Sequence, residues 1–346
     1  MLIVIISAVF IFSIISTYFL IPLNIKISKT FALIDKPKDR SIHKEIVPSS
    51  GGISFIISIL SIYCFISFFD YFAHSALYRT IIIGGLAIGI IGILDDKHSL
   101  PANSKLILQL IIAIFMTTNG FIINILTNPF GGEIVLGWIS YPLTIIWYLV
   151  VLNAFNLIDG IDGLAAGISA TVSFILLIVS VRYTNQFVFF ITLPLLGAMI
   201  AFLKFNFYPA KIFMGDAGSL FIGFLIASVS IAGNYQFKGI TAITLLIPLV
   251  ALSFPLADIS WAVFRRIKNR THIFEADKEH IHHKLLDRGF SQKTVALTGY
   301  FITLLFGLIA IGFSYSSKKI VLITLILLFS LMIIVFYKIF FGGKKK

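Results

Sequence analysis

Charged residues are scarce in this chain. Asp, Glu, Lys and Arg make up 12% of the 346 residues, whereas 58% of the residues are hydrophobic. A soluble globular domain usually carries roughly a quarter of its residues as charged side chains, so this composition excludes one. Long apolar runs with few charges predict a polytopic membrane protein.

Cysteine is almost absent. The single Cys64 lies in an apolar run, which excludes an intrachain disulfide and a metal site built from several cysteines. The net charge is +12. Because the basic residues lie in loops between hydrophobic runs, we expect membrane lipids with anionic headgroups, or phosphorylated substrates, as partners rather than nucleic acid.

Eleven apolar segments are long enough to span a bilayer, so we predict an all-α polytopic integral membrane protein with one transmembrane domain over residues 1–346. The segments lie at about 1–23, 51–69, 77–94, 104–126, 138–155, 163–182, 186–204, 217–234, 239–264, 294–314 and 318–340. A short polar stretch at 127–137 outside these spans predicts a small surface hairpin.

The basic residues indicate an orientation. All but five of the 27 Lys and Arg residues lie in loops on one side of the predicted bundle or in the C-terminal tail; the five are Arg79, Arg182, Lys238, Lys318 and Lys319. The positive-inside rule makes the richer side cytoplasmic, with the N-terminus outside and the C-terminus inside. The predicted cytoplasmic loops are about 24–50, 95–105, 153–163, 204–216 and 265–293.

Acids follow a span at Asp95 and Asp96. A vicinal pair at the end of a helix can present two carboxylates to one cation, or leave one of them as a general base. A solvated helix end is the simpler interpretation, and the pair alone does not decide between them.

The segment 153–167 reads NAFNLIDGIDGLAAG. Asp159 and Asp162 are three residues apart and share a face if the segment is helical. An EF-hand is excluded, because Ala170 stands where its bidentate Glu would be. A plain turn between two spans is the alternative, but acids and amides next to membrane segments favour function.

The segment 213–219, FMGDAGS, begins another span. Its glycines free the backbone, and the unpaired N–H groups of a helix N-terminus can bind phosphate. Asp216 is then placed to ligate Mg²⁺ beside that phosphate. Ordinary helix capping is the alternative, and the Gly-Lys-Ser/Thr ending of a P-loop is absent.

The last large loop, 265–293, contains the run His280-Ile281-His282-His283. On a helix His280 and His283 share a face while His282 points elsewhere, so a three-histidine zinc site is not favoured. The imidazoles could bind phosphate or orient a reacting group. Nearby arginines suit either an anionic substrate or membrane anchoring, and Asp258 in the preceding span is interpreted as their structural partner.

The motifs DDKHSL, NAFNLIDGIDGLAAG, FMGDAGSLFIG and EADKEHIHHKL, in this order and on one face, resemble the polyprenyl-phosphate N-acetylhexosamine-1-phosphate transferases. The resemblance extends from Asp35 to about Gly289. It implies an integral membrane enzyme that moves a sugar 1-phosphate from a UDP-sugar to a polyprenyl phosphate and releases UMP. The HIHH form resembles the branch that uses simple UDP-N-acetylhexosamines.

The resemblance also implies site residues. Asp95 and Asp96 would be the catalytic acid pair, and Asp159 and Asp162, also catalytic, would line the nucleotide and metal site with Asn153 and Asn156. Asp216, with Asp159, would hold Mg²⁺, with Mn²⁺ as an alternative. Substrate would be bound by Phe213, which would stack on uracil, and by Arg40, His43, His280, His282 and His283. The match departs after Pro48, where many relatives have a basic residue and this chain has Ser49-Ser50.

We therefore predict transfer of N-acetylglucosamine 1-phosphate from UDP-GlcNAc to undecaprenyl or another polyprenyl phosphate at the inner membrane, to initiate a cell-envelope glycan, with a homodimer as a further expectation. Alternative donors are UDP-GalNAc, a 6-deoxy N-acetylhexosamine and UDP-MurNAc-pentapeptide. Attack by the lipid phosphate is either direct or follows an enzyme acyl-phosphate. Non-enzyme alternatives are a transporter, which should place its acids near the midplane, and a lipid-binding protein.

Overall fold

The computed structural model describes residues 2–31, 33–35, 46–68, 75–127, 133–232 and 289–312, with residues 326 and 330. Over these ranges the chain is mostly helical. The helices are α1 Leu2–Thr30, α2 Gly51–Phe68, α3 Ser75–His98, α4 Ala102–Thr118, α5 Ser140–Ile158, α6 Leu164–Arg182, α7 Gln186–Asn206, α8 Gly215–Ala232 and α9 Gln292–Gly312. In a bilayer a helix satisfies its own backbone hydrogen bonds, which explains why the apolar runs fold this way.

Seven helices in the described part are long and apolar enough to cross a membrane: α1, α2, α3, α5 with the turn before it, α6, α7 and α8. Helix α4, with 17 residues, is shorter. The multi-pass membrane fold expected from the sequence is thus observed. The predicted spans 239–264 and 318–340, apart from residues 326 and 330, lie outside the described residues, as does Asp258.

The predicted span 104–126 is wrong at its C-terminal end. Helix α4 stops at Thr118, because the chain turns at Asn119 and Gly120, which has φ of +102°. Strand β3 (Ile125–Thr127) then pairs antiparallel with β4 (Glu133–Val135). The predicted hairpin therefore exists, but its first strand begins inside the segment that had been assigned to the membrane.

Helix α8 lies at the centre of the bundle. Within its apolar stretch 89% of the residues are buried, against 17% for α1, which lies at the periphery. Helix α8 packs against α2, α3 and α5, and α6 packs against α7 and α9. Since α8 begins with Gly215 and Asp216, this packing holds Asp216 at the middle of one end of the bundle.

Helices α3 and α8 approach closely near that end. A Cβ added to Gly92 of α3 would lie 2.2 Å from the Cα of Ala217, so only glycine allows the two backbones this separation. Close approach through small residues is a common way for membrane helices to pack. It brings the last turn of α3, with Asp95 and Asp96, against the first turn of α8.

Candidate active site

The polar connections within the described ranges meet at one end of the bundle. Hydrogen bonds link Asp96, in the last turn of α3, to the start of α8; Asp162, between α5 and α6, to Ala210; and Lys105, at the start of α4, to Asn156. These segments lie far apart in sequence. Their convergence agrees with the expectation that the acidic motifs share a face.

The chain before α2 is joined to the chain before α8 by backbone hydrogen bonds. The N–H of Phe213 donates to the carbonyl of Pro48 at 2.8 Å, and the N–H of Gly51 donates back to the carbonyl of Phe213 at 2.9 Å. Pro48 belongs to β2 (Val47–Pro48), which pairs with β1 (Ile34–Asp35). The N-terminal loop is thus attached directly to the FMGDAGS segment.

Ser50 has a structural role. Its hydroxyl donates to Oδ1 of Asn24 at 3.0 Å and contacts the hydroxyl of Ser28, and its side chain is buried. Both partners belong to α1. Ser50, one of the two serines that follow Pro48, therefore ties α1 to the start of α2.

Asp96 caps helix α8. Its Oδ1 accepts a hydrogen bond from the N–H of Asp216 at 2.7 Å, and its Oδ2 accepts one from the N–H of Ala217 at 3.1 Å. Gly215, at φ +71°, makes the turn that aims these donors at Asp96. The expectation of unpaired N–H groups for a phosphate is therefore wrong for these two, because a carboxylate from α3 accepts from both.

Lys105 lies between two of the acids. Its Nζ is 2.6 Å from Oδ2 of Asp95 and 3.0 Å from Oδ1 of Asp216, and it donates to Oδ1 of Asn156 at 3.1 Å. The amide of Asn156 also donates to Oδ1 of Asp216 and to the hydroxyl of Ser219 at 3.0 Å. One cation and one amide thus fix the orientation of the Asp216 carboxylate.

Asp95 and Asp216 differ in solvent exposure. The side chain of Asp95 is 7% exposed and also accepts the N–H of Leu100 at 2.8 Å, whereas that of Asp216 is 30% exposed. In Asp95 and Asp96 alike, each carboxylate oxygen has one protein partner.

Asp159 and Asp162 lie in a turn and not on one helical face. Helix α5 ends at Ile158 and α6 starts at Leu164 after Gly163, which has φ of +74°. Oδ2 of Asp162 accepts the N–H of Ala210 at 3.0 Å. Asp162 therefore anchors the α7–α8 connection as well as lining this end of the bundle.

Asp159 lies in an unfavourable environment for a carboxylate. Burial raises the pKa of its carboxyl well above the usual range, and the charges of Asp216, Asp96 and Asp162 raise this pKa further. A cation bound next to Asp159 would offset both effects.

The remaining predicted residues occupy different positions. The amide of Asn153 donates to Oε1 of Gln109 at 2.8 Å and so joins α5 to α4, one turn deeper in the bundle than Asn156. Phe213 is half-buried at the edge of the site. Five predicted substrate-binding residues lie outside the described residues: Arg40, His43, His280, His282 and His283.

The acids of the site could contribute oxygen ligands to Mg²⁺. Over the described ranges, no three His, Cys, Asp or Glu side chains form a ready metal cage. Mg²⁺ usually keeps several waters and is held by one or two carboxylates together with substrate phosphates. Asp216, which is partly exposed, and Asp159, which interacts with three other acids, fit that second arrangement.

Two residues of the site were missed from the sequence. In the sequence Lys105 is one of several basic residues in predicted loops. Its position at the start of an apolar run is the signal that it needs an acidic partner. Asn206 accepts the N–H of Gly163 at 3.1 Å and donates to the carbonyl of Ile212 at 2.9 Å. No local pattern marks Asn206, because both contacts are tertiary.

Known proteins resemble this chain along most of its length. Residues 78–234 match the family model described as glycosyl transferase family 4. A protein of Bacillus subtilis (strain 168), named a probable undecaprenyl-phosphate N-acetylglucosaminyl 1-phosphate transferase, is 35% identical over 96% of this chain and 88% of its own length.

Two further relatives come from other bacteria. A decaprenyl-phosphate N-acetylglucosaminephosphotransferase of Mycobacterium leprae (strain TN) is 31% identical over 86% of this chain and 80% of its own length. An undecaprenyl-phosphate alpha-N-acetylglucosaminyl 1-phosphate transferase of Escherichia coli (strain K12) is 30% identical over 78% of this chain and 73% of its own. With this identity over this length, and with the four motifs in place, the chain belongs to the polyprenyl-phosphate N-acetylhexosamine-1-phosphate transferase family.

Proposed function

We propose that this protein transfers N-acetylglucosamine 1-phosphate from UDP-GlcNAc to a polyprenyl phosphate and releases UMP. The observation that carries the proposal is the cluster of Lys105, Asn156 and Asp216 beside the Asp96 cap, at one end of the membrane bundle. The names of all three relatives contain N-acetylglucosamine, whereas their prenyl chains differ. This pattern favours GlcNAc as the sugar and leaves the prenyl length to be measured.

The reaction is a displacement at phosphorus. An oxygen of the lipid phosphate forms a bond to the β-phosphorus of UDP-GlcNAc, and the bond from that phosphorus to the bridging oxygen breaks. UMP leaves with the bridging oxygen, and the product is a polyprenyl diphosphate that carries the sugar. Catalysis then consists mainly of positioning and of offsetting the repulsion between the phosphates.

Lys105 is the described cation best placed for this task. It lies 15% exposed between Asp95 and Asp216, so its charge is held at the site before substrate arrives. Its ammonium group would bind a phosphate oxygen of either UDP-GlcNAc or the lipid phosphate. Asp95 keeps the ammonium group in place, and Asn156 keeps the Asp216 carboxylate in place.

Asp216 and Asp159 would hold Mg²⁺, or Mn²⁺ in its stead. When bound, this ion supplies positive charge that neutralises the diphosphate and the leaving UMP. The chain's own contribution is orientation: Asp96 fixes the backbone at Asp216, and Lys105 and Asn156 fix its side chain.

The other predicted contacts belong to the same proposal. Phe213 would stack on uracil, and Asn153, Arg40, His43, His280, His282 and His283 would contribute to binding of the sugar nucleotide or the lipid phosphate. The site would open to the cytoplasm at a bacterial inner membrane, with the N-terminus outside. A cysteine placed near residue 103, in a variant without Cys64, should then react with an impermeant thiol reagent only in inverted vesicles.

The test is a donor panel. Purified protein in detergent receives undecaprenyl phosphate, Mg²⁺ and, separately, UDP-GlcNAc, UDP-GalNAc and UDP-MurNAc-pentapeptide, and UMP release is measured. We expect lipid-dependent release with UDP-GlcNAc, lost in Asp216→Asn and retained in Glu133→Gln, a matched substitution in β4 at the other end of the bundle. Release with only one of the other donors would show that the protein transfers that donor's sugar instead of GlcNAc. No release from folded protein with any donor would contradict the proposal.

A further inference from the structure

The turn between α5 and α6 carries two predicted site carboxylates but has little support of its own. Residues 159–163 include Gly160 and Gly163, and glycine loses more conformational freedom on ordering than any other residue. The turn therefore depends on contacts from other elements to hold Asp159 and Asp162 in place.

Both backbone groups of Gly163 are bonded to distant residues. Its N–H donates to Oδ1 of Asn206, at the end of α7, at 3.1 Å. Its carbonyl accepts the hydroxyl of Tyr300, which lies on α9 and is 137 positions away in sequence. The same carbonyl accepts the N–H of Gly167 at 2.9 Å, so it also starts the hydrogen bonding of α6.

The ring of Tyr300 lies on Gly167. A Cβ added at Gly167 would meet three atoms of the Tyr300 side chain first, the nearest being Cζ at 1.9 Å. Further along the same interface a Cβ added at Gly307 would lie 1.9 Å from Cδ1 of Ile175. Glycines on both helices thus let α9 approach α6 closely enough for the hydroxyl to reach the turn.

We propose that Tyr300 is a positioning residue for the transfer reaction: its hydroxyl fixes the carbonyl of Gly163 and thereby the placement of Asp159 and Asp162 relative to Asp216. This inference rests on the proposed function, because it concerns the same site. Tyr300 acts through the turn and does not touch substrate. Since an error of about 1 Å in placement can cost roughly a hundredfold in rate, one well-aimed hydroxyl is sufficient to affect turnover.

The test compares Tyr300→Phe with Tyr63→Phe. Tyr63 is buried and its hydroxyl also donates to a helix carbonyl, that of Ile191, at 2.8 Å, but it lies in the α2–α7 interface away from the turn. Both variants lose one hydroxyl and keep the ring. Four quantities are measured in each variant: the melting temperature, kcat for UMP release, the Mg²⁺ concentration for half-maximal rate, and hydrogen exchange of the peptide 157–167.

We expect Tyr300→Phe to lower kcat by roughly tenfold, to raise the Mg²⁺ requirement and to speed exchange of the turn, with a melting temperature close to that of Tyr63→Phe. The Tyr63→Phe variant should match the wild type in kcat, Mg²⁺ requirement and exchange of this peptide. Equal kcat and equal exchange in the two variants would overturn the proposal.

A second pair of variants guards against a simple loss of folding. Gly167→Ala forces a methyl group into the ring of Tyr300, so it should slow turnover strongly in the wild-type background. In the Tyr300→Ala background the same substitution should slow turnover little further, because the ring that the methyl group would clash with is absent. Fully additive effects would contradict the proposal. Absence of UMP release from the wild type would instead count against the proposed function, and the exchange comparison would still decide whether Tyr300 holds the turn.

Discussion

Asp96 accepts a hydrogen bond from the backbone N–H of Asp216 at 2.7 Å. The first acidic motif of the chain therefore caps the helix on which the third motif begins. This contact makes the position of the Asp216 carboxylate depend on α3, and it gives the second residue of the Asp95–Asp96 pair a structural task that can be separated from chemistry.

Asp96→Asn should damage both stability and activity. The amide can accept only one of the two N–H bonds and turns its own donors toward the other, so we expect a loss of about 1–3 kcal/mol in the free energy of unfolding. UMP release should fall roughly a hundredfold as Asp216 moves. Thermal unfolding and initial rates measure the two effects, with Glu133→Gln as the control. Full stability with no activity would show that Asp96 acts on substrate instead of capping α8.

Lys105→Met should leave Asp95 and Asp216 without their shared cation. Because Asp95 is only 7% exposed, we expect destabilisation on the order of 3 kcal/mol and loss of UMP release. Adding Asp95→Asn should restore part of the stability but none of the activity, since the phosphate would still lack its cation. Lys204→Met, at an exposed position on α7, is the control. Restored activity in the double variant would refute the assignment of Lys105 to phosphate.

Gly92→Ala should separate α3 from α8. The new methyl group would lie 2.2 Å from the Cα of Ala217, a backbone atom that cannot move aside. Gly89→Ala on the same helix would meet only the Ile56 side chain, at an ordinary contact distance of 3.4 Å or more. We expect a cost of about 1–3 kcal/mol for Gly92→Ala, a strong loss of activity, and near-neutral behaviour for Gly89→Ala. Equal melting temperatures and rates for the two variants would show that the helix contact does not control the site.

The displacement should be direct. In Asp95 and Asp96 each carboxylate oxygen has a protein donor as partner, which lowers its nucleophilicity toward phosphorus. UDP-GlcNAc labelled at the β-phosphorus should leave no label on the protein after acid quenching, and labelled UMP should not exchange into UDP-GlcNAc without lipid. A phosphorylated aspartate in trapped enzyme would establish the two-step route.

Seven of the eleven predicted spans correspond to membrane-length helices in the described part of the chain, because a bilayer demands about 20 apolar residues per span. The end of α4 was misplaced because Ile122, Ile123 and Ile125 continue the apolar pattern past the turn at Asn119. Hydropathy reports the composition of a segment. It does not report where the backbone leaves the helix.

The site was predictable as a set of acids but not as a set of contacts. Asp216 and Asp159 stood out because carboxylates are rare next to apolar runs. The cap by Asp96 and the hydrogen bond from Asn156 depend on how α3, α5 and α8 pack, and neither leaves a local pattern. The role of Ser50 was likewise not predictable from the sequence, because its hydrogen bond to Asn24 of α1 is a tertiary contact.

The central claim is that a sugar and its phosphate move together to the lipid. UDP-GlcNAc labelled with ³²P at the β-phosphorus and with ¹⁴C in the sugar should be incubated with the protein, polyprenyl phosphate and Mg²⁺, and the lipid extracted. The account predicts both labels in the lipid fraction in the ratio of the donor, with unlabelled UMP released. Transfer of ¹⁴C alone, with ³²P left on UDP, would contradict it.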